Sequence, residues 1–215
     1  MDLDVGAASG AEVRAVAAEA WGAYQRGVDV VVNNAGFIVS GRIEELMQEG
    51  MEASFMTSFH GPLNITRAFL PQSRRSRTET LVYIKKQKRT KRLKRGSFKA
   101  LPRPLSKELA ILAPGLKVKI VEPGYFRTKV NNKIAGVPPR IPDFEGFNGA
   151  AKARAEMIQG TEPGDPDKAA KRIAGGREVP LRIIFGSDRW ERIRDKCEIC
   201  QGMRVREDVA RSTDL

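Results

Sequence analysis

Short apolar runs alternate with segments of helical periodicity along most of this 215-residue chain. The run at residues 28–32 is rich in β-branched residues, which is typical of a strand buried on both faces. Three later runs share this character, at 81–84, 116–121 and 181–185. The alternation predicts an α/β fold with a doubly wound parallel sheet.

Helical patterns fill the segments between these runs. Helices are predicted at 11–24, 43–53, 54–70, 105–112 and from Asp165, as N-cap, onward. The helix at 54–70 is expected to bend near Gly61 and to end at Pro71. The first helix places one apolar face at Val13, Val16, Ala17, Ala20, Trp21 and Tyr24.

The last predicted helix carries both cysteines of the chain. Ser187 or Asp188 is expected to cap this helix. Its apolar stripe consists of Trp190, Ile193, Cys197 and Cys200. The stripe predicts core positions for both cysteines, with a redox or half-zinc pair as the alternative. Two cysteines and the single histidine, His60, provide neither a disulfide framework nor a His-rich metal site, so we expect no bound metal.

Positive charge is concentrated in one segment. Lys and Arg total 38 against 26 acidic residues, but residues 74–99 contain 12 basic residues and one acid, a net +11 that leaves +1 for the rest. Blocks of like charge are usually solvated, so we expect residues 72–103 to be poorly ordered. Three interpretations of this segment stay open: nonspecific phosphate binding, a nuclear import signal, or replacement sequence from a frame change or retained intron. Only Tyr83 and Phe98 flank it as aromatics, so we do not expect nucleic-acid recognition by base stacking.

The sequence also bears on location and size. No apolar run reaches the roughly 18 residues that a membrane span needs. Residues 1–13 lack the basic-then-apolar layout of a signal peptide. We therefore expect an intracellular, cytoplasmic protein with no membrane partner, and 215 residues suffice for one domain with a sizeable core.

Two motifs follow predicted strands. The first is Asn33-Asn34-Ala35-Gly36, and the second, at residues 122–128, reads E-P-G-Y-F-R-T. In this order and strand context, the chain resembles the short-chain dehydrogenase/reductase family over residues 1–71 and 104–200. Further segments resemble the fungal-type branch of that family, at 61–71, 164–166 and 180–188.

The resemblance implies a Rossmann-like sheet and an NAD(P)-dependent oxidoreductase that interconverts a carbonyl and an alcohol on a small molecule, such as a secondary metabolite or a steroid-like compound. It implies NADP, or NAD, as cofactor, bound outside the carboxyl ends of the strands. Related enzymes often pair through the helices at 43–70, so a homo-oligomer is expected. The cofactor-binding residues that it implies are Asp4, Asn33, Asn34, Ala35, Gly36, Arg67, Pro123, Gly124, Phe126 and Thr128.

The start of the chain departs from the family pattern. Members begin with a strand and a glycine-rich turn, T-G-x-x-x-G-x-G, and the helix that follows receives the pyrophosphate. The first residues here resemble the third strand instead, with Asp4 at its end. We therefore expect an incomplete sheet, without the first two strands and their helices, in one domain at 1–202 with a tail at 203–215. The strand at 28–32 is then expected to expose an unpaired apolar edge.

The family's Asn-Ser-Tyr-Lys tetrad is also missing from the expected positions. Tyr83 is followed at the tyrosine–lysine spacing by Gln87, and Arg95 stands four residues before Lys99. Ser58 occupies the position of the asparagine, and lysines follow the strand where the serine belongs. A tyrosine titrates near 10 without its lysine and is then mismatched to neutral pH. We predict no catalytic residue and an impaired or inactive chain; the alternative is a non-catalytic relic or a basic module that binds polyanions.

Overall fold

A computed structural model describes residues 2–36, 38–40, 42–76, 80–84, 101–128, 134–136, 141–174 and 181–203. Its strands are β1 (Val30–Asn33), β2 (Ile38–Ser40), β3 (Thr80–Ile84), β4 (Lys117–Pro123), β5 (Ile134–Gly136) and β6 (Arg182–Phe185). Its α-helices are α1 (Gly10–Gly22), α2 (Gln48–Phe55), α3 (Gly61–Ser76), α4 (Pro102–Leu112), α5 (Glu145–Ile158), α6 (Pro166–Ala174) and α7 (Ser187–Met203). Shorter helical turns lie at Ile43–Glu45, Met56–His60 and Pro142–Phe144.

Four parallel strands form the main sheet in the order β1-β3-β4-β6. The register aligns Val31 with Leu81 and Leu81 with Val118, so these three side chains share one face. Strands β2 and β5 pair with each other in a separate two-stranded parallel sheet. The predicted α/β fold with a parallel sheet is therefore confirmed.

The hydrophobic core covers the sheet face that carries Leu81. Helices α1, α3 and α4 pack there, and the buried cluster includes Val13, Ala17, Val31, Ala68, Phe69, Leu81, Leu105, Leu109 and Val118. Complete burial of a side chain such as Leu81 contributes roughly 1.5–3 kcal/mol. The cluster thus packs the main sheet against α3, which is the helix that borders the carboxyl end of β1.

Helix α1 begins at a capping box. Ser9 Oγ accepts the Glu12 N–H, and the Glu12 carboxylate accepts the Ser9 N–H. The Ser9 backbone bond is the main reason that the pKa of Glu12 lies below its usual value. Val13 and Ala17 are buried as predicted, whereas Tyr24 is 67% exposed, because the helix ends at Gly22 before reaching it.

Strand β1 lies at an edge of the sheet. Val31 is 8% exposed, but Val30 and Val32, on the opposite face, are 47% and 52% exposed. Within the described ranges, no strand pairs with the outer side of β1. This agrees with the predicted unpaired apolar edge, while the absence of two preceding strands stays a prediction. Asp4 lies beside a turn at residues 5–7 and not at the end of a strand.

The helical segment at 48–76 differs from its prediction at one end. The π-helical turn Met56–His60 leads into α3 at Gly61, where the bend was predicted. Helix α3 then continues through Pro71 to Ser76, so the predicted end at Pro71 is wrong. Pro71 is exposed and removes one backbone donor, and the buried Ser73 hydroxyl donates to the Phe69 carbonyl at 2.7 Å in the same stretch of helix.

Helix α7 corrects the prediction for the cysteines. Trp190 is 59% exposed, and Cys197 is exposed with a free thiol. The predicted core position of Cys197 is therefore wrong. Helical spacing shows which residues share a face of the helix, but it does not show whether another element packs against that face. The side chain of Cys200 lies outside the described residues.

The basic segment is described only at its ends. Helix α3 reaches Ser76, β3 occupies 80–84, and α4 starts at Pro102. Residues 85–100 lie outside the described part of the chain, so their predicted poor order stays a prediction. None of the helices described is long and apolar enough to cross a membrane.

The two faces of β1 allow a matched test of burial. We expect Val31→Ala to lower the free energy of unfolding by about 1–3 kcal/mol, since it leaves a cavity in the core. Val32→Ala removes the same atoms from an exposed position and should change the free energy by less than about 0.5 kcal/mol. Urea unfolding followed by circular dichroism measures both. Equal losses would mean that the outer face of β1 is covered in solution.

Candidate functional site

Two segments of the predicted cofactor site lie at the same edge of the sheet, where its parallel strands end. Residues 33–36 close β1, and residues 123–128 follow β4. Since β3 lies between these strands, the two segments are separated by two strand spacings, roughly 10 Å. The carboxyl edge of an open parallel sheet is where such folds bind ligands.

A cavity of about 190 Å³ lies at the carboxyl end of β1. Its walls come from β1, α3 and the N-terminal segment: Val5, Val31, Val32, Asn33, Asn34, Ala35, Pro62, Ile65 and Phe69. Three predicted residues, Asn33, Asn34 and Ala35, therefore line one cavity. Gly36 follows with φ of 148°, a conformation that favours glycine.

Asn33 supplies the polar group of this cavity. Its side chain is 7% exposed, and within the described residues Nδ2 has no hydrogen-bond partner. A buried donor without a partner costs about 1–3 kcal/mol, so it is rare unless water or a ligand satisfies it. Nδ2 exposes almost no surface to water and is thus an unsatisfied donor buried beside the place where the family resemblance puts a cofactor.

Asp4 and Arg67 lie outside the cavity wall. The Asp4 carboxylate accepts the Gly6 N–H at 2.9 Å, and its neighbour Val5 contributes to the wall. Val5 lies against α3 at Gly61, where an added Cβ would be 2.9 Å from the Val5 carbonyl oxygen. Arg67 is exposed on α3 and is not among the lining residues. The structure does not bring these two predicted residues together with Asn33.

The turn after β4 is held by the segment that follows β6. The Gly124 N–H donates to the Phe185 carbonyl at 2.7 Å. The Tyr125 N–H donates to the Asp188 carboxylate, at 3.3 and 3.2 Å from its two oxygens. An added Cβ on Gly124 would overlap this carboxylate, so a larger residue here would displace the end of the Asp188 side chain. Asp188 was predicted as a helix cap, and its carboxylate instead binds a turn distant in sequence.

A second contact fixes the end of this turn. Phe126 forms a bridge with Gly164, with the Arg127 N–H donating to the Gly164 carbonyl at 3.0 Å and the Gly164 N–H donating to the Tyr125 carbonyl at 2.9 Å. The next residue, Asp165, accepts from the backbone N–H groups of Lys168 and Asp167, as its predicted N-cap role requires. These bonds, that of Lys168 first, keep the pKa of Asp165 below its usual value.

Tyr83 lies in the core and is inaccessible to a substrate. Its side chain is completely buried, and its hydroxyl lies 2.6 Å from Thr66 Oγ1. Thr66 already donates to the Pro62 carbonyl at 2.6 Å, so the Tyr83 hydroxyl is the donor in their bond. Burial raises the pKa of Tyr83 to about 12. The nearby Ser58 hydroxyl is also buried, without a partner in the described part of the chain.

One tyrosine–lysine pair was overlooked in the sequence. Tyr125 precedes Lys129 by four residues, which is the family spacing, but the family pattern expects this pair between β3 and α4. Tyr125 lies in the turn after β4 and not in a helix, and Lys129 lies outside the described residues. In a turn, the spacing of four does not place two side chains on a common face. We therefore assign this pair no catalytic role.

The charged groups do not form a metal site within the ranges that the structure describes. There, no three His, Cys, Asp or Glu side chains lie close enough together to hold an ion. The most buried acid near the site, Glu122, is 2% exposed and pairs with two arginines, Arg182 and Arg189. The arginines neutralise this carboxylate, which is what a buried charge requires.

Comparison with known proteins finds similar sequences and structures among dehydrogenases and oxidoreductases. The profile of the family described as short chain dehydrogenase matches residues 2–136. The chain is 24% identical to oxidoreductase BOA17 of Botryotinia fuckeliana (strain B05.10) over 178 residues, which cover 76% of this chain and 63% of BOA17. The chain thus spans less than two thirds of that curated relative.

Solved structures are similar as well. A short-chain dehydrogenase from Streptomyces avermitilis is 30% identical, with a TM-score of 0.80, and the match covers 100% of this chain and 80% of that one. The closed form of serine dehydrogenase complexed with NADP+ is 22% identical, with a TM-score of 0.61, over 86% of this chain and 73% of that one. The second similarity concerns the fold alone.

Gly124 can be tested against a glycine in open space. Gly124→Ala should lower the free energy of unfolding by about 1 kcal/mol, because the new methyl group displaces the Asp188 carboxylate and breaks its bond with the Tyr125 N–H. Gly149→Ala, in α5 with no atom within 4 Å of the added Cβ, should raise it by up to about 1 kcal/mol. Urea denaturation measures both. A neutral Gly124→Ala would contradict the close approach.

Tyr83 predicts a pH dependence of stability. Because its folded pKa of about 12 exceeds the ordinary 10, the stabilisation is complete below pH 10 and is lost as pH rises through 12, at up to about 1.4 kcal/mol per pH unit. Tyr83→Phe should cost about 1 kcal/mol at neutral pH and flatten the fall above pH 10. Urea unfolding from pH 8 to 11 measures the difference. Parallel profiles for both proteins would contradict a pKa of Tyr83 that is raised by folding.

Proposed function

Because this chain belongs to the short-chain dehydrogenase/reductase family, we propose that it binds a pyridine nucleotide, NADP or NAD, at the carboxyl edge of its sheet. The reaction for which the site is shaped interconverts a carbonyl and an alcohol on a small molecule. These 215 residues carry out that reaction slowly or not at all. The observation that carries the binding proposal is the free Asn33 amide in the cavity beside β1.

The cavity suits part of a dinucleotide. Its volume of about 190 Å³ is below the roughly 300–1,000 Å³ of pockets that enclose whole ligands, so it accommodates about one half of such a molecule. The Asn33 amide offers a donor to a ribose or base acceptor, and Ala35 leaves room for close approach. The turn at Pro123 and Gly124 borders the other half. A bound nicotinamide supplies or accepts the hydride of the reaction.

The proton required by this reaction lacks a donor among the placed residues. Tyr83 is buried and donates to Thr66, so it cannot exchange a proton with a substrate at neutral pH. Tyr24 lies beyond the end of α1, and Tyr125 lies in the turn after β4, where a spacing of four does not place two side chains on a common face. Loss of general acid–base catalysis lowers a rate by about 10²–10⁴. This supports nucleotide binding with weak turnover.

Nucleotide titration with two asparagine variants tests the binding proposal. Purified chain should increase the fluorescence of NADPH saturably, and Asn33→Ala should raise the Kd about tenfold, the effect of losing one buried hydrogen bond. Asn64→Ala is the matched control, since Asn64 lies in α3 and is not among the residues that line the cavity, and it should change the Kd less than about threefold.

Two results would reject parts of this proposal. Salt-sensitive binding to heparin together with no NADPH signal would favour a basic module that binds polyanions over a nucleotide-binding protein. Oxidation of NADPH that depends on an added ketone, at a rate typical of enzymes, would overturn the prediction of weak turnover.

A further inference from the structure

The turn that borders the outer half of the proposed nucleotide site is fixed by one carboxylate. We propose that Asp188 is a positioning residue that holds the Gly124–Tyr125 turn in the conformation that a nucleotide contacts. The inference rests on the proposed function. It assigns a role in ligand binding to a side chain that the sequence analysis named, with Ser187, as one of two candidate helix caps.

The hydrogen bonds of Asp188 point away from its own helix. Both carboxylate oxygens accept the Tyr125 N–H, at 3.3 and 3.2 Å, across 63 positions of sequence. Glycines on two sides admit the carboxylate: a Cβ on Gly186 would lie 2.8 Å from Asp188 Oδ1, and one on Gly124 would overlap it. Gly186 also has φ of 97°, which favours glycine. The absence of a side chain at Gly124 and Gly186 thus leaves room for the Asp188 carboxylate.

The position of Asp188 is set by its neighbour. Arg189, with a side chain 17% exposed, pairs with Glu122 in β4, and Arg182 in β6 pairs with the other oxygen of the same carboxylate. Glu122 is 2% exposed, so this cluster is a buried connection between β4, β6 and α7. Breaking such a connection is strongly destabilising. The helix therefore remains anchored when Asp188 is changed.

Different contacts anchor helix α7 and position the turn at Gly124 and Tyr125. The Glu122 cluster and the backbone bond from Gly124 to Phe185 hold α7 and β6 against β4. Asp188 adds a charge-assisted bond to the first residue beyond that bond, Tyr125. Without it, the turn gains freedom, and a ligand that contacts the turn must restrict that freedom on binding. A ligand confined to the cavity beside β1 is unaffected.

NADPH and adenosine 2′,5′-bisphosphate distinguish a ligand that contacts the turn from one that is confined to the cavity beside β1. Asp188→Ala should raise the Kd for NADPH about tenfold, because this ligand must then order the turn on binding, and should leave the Kd for adenosine 2′,5′-bisphosphate within about twofold. Asp188→Asn keeps one acceptor oxygen and should restore most of the NADPH affinity. Asp195→Ala, at an exposed acid of the same helix, is the control and should bind both ligands like wild type.

Amide exchange in the ligand-free protein gives a second readout. The Tyr125 amide should exchange at least tenfold faster in Asp188→Ala, while the amides of β3 keep their wild-type rates. Unchanged exchange at Tyr125, or equal loss of affinity for both ligands, would overturn the positioning role and leave the proposed function intact. Failure of the wild type to bind either ligand would overturn both.

Discussion

The pairing of β3 with β4 is the constraint on which the rest of the structure depends. These strands run side by side from Thr80 and Lys117 to Ile84 and Val121, and their inner residues are almost completely buried. Parallel strands end at the same edge, so this register places the segments after β1 and β4 on one side of the sheet. The two segments that carry most of the predicted cofactor-binding residues owe their common edge to that placement.

The sequence was sufficient for the parts of the fold that depend on local pattern. The run at 28–32 and the one at 116–121 predicted two strands of the sheet, and the Asp165 cap predicted the start of α6. Such signals need only neighbouring residues, because alternation, capping and proline act within a few positions. The exception is Pro71, where the helix tolerates one missing donor and continues to Ser76.

Features that depend on distant packing were not predictable. The helical stripe of α7 suggested burial of Cys197, but no layer covers that side chain among the described residues. The sequence likewise marked Asp188 as a cap, because a capping residue and a turn-binding carboxylate look alike until their partner is known. The cavity beside Asn33 is lined in part by Val5, from the N-terminal segment, and by Phe69, from α3. No sequence motif indicates that these two segments lie together. The motif predicted the asparagine, and only the fold reveals its unsatisfied amide.

The contact between Gly124 and Asp188 has a consequence for the history of the protein. A larger residue at position 124 takes the space of the Asp188 carboxylate, which must then move away from the Tyr125 N–H. We expect these positions to change together among relatives: where the glycine is replaced, the aspartate should be replaced by a smaller residue. The two motifs that contain them thus evolve as one unit despite their separation along the chain.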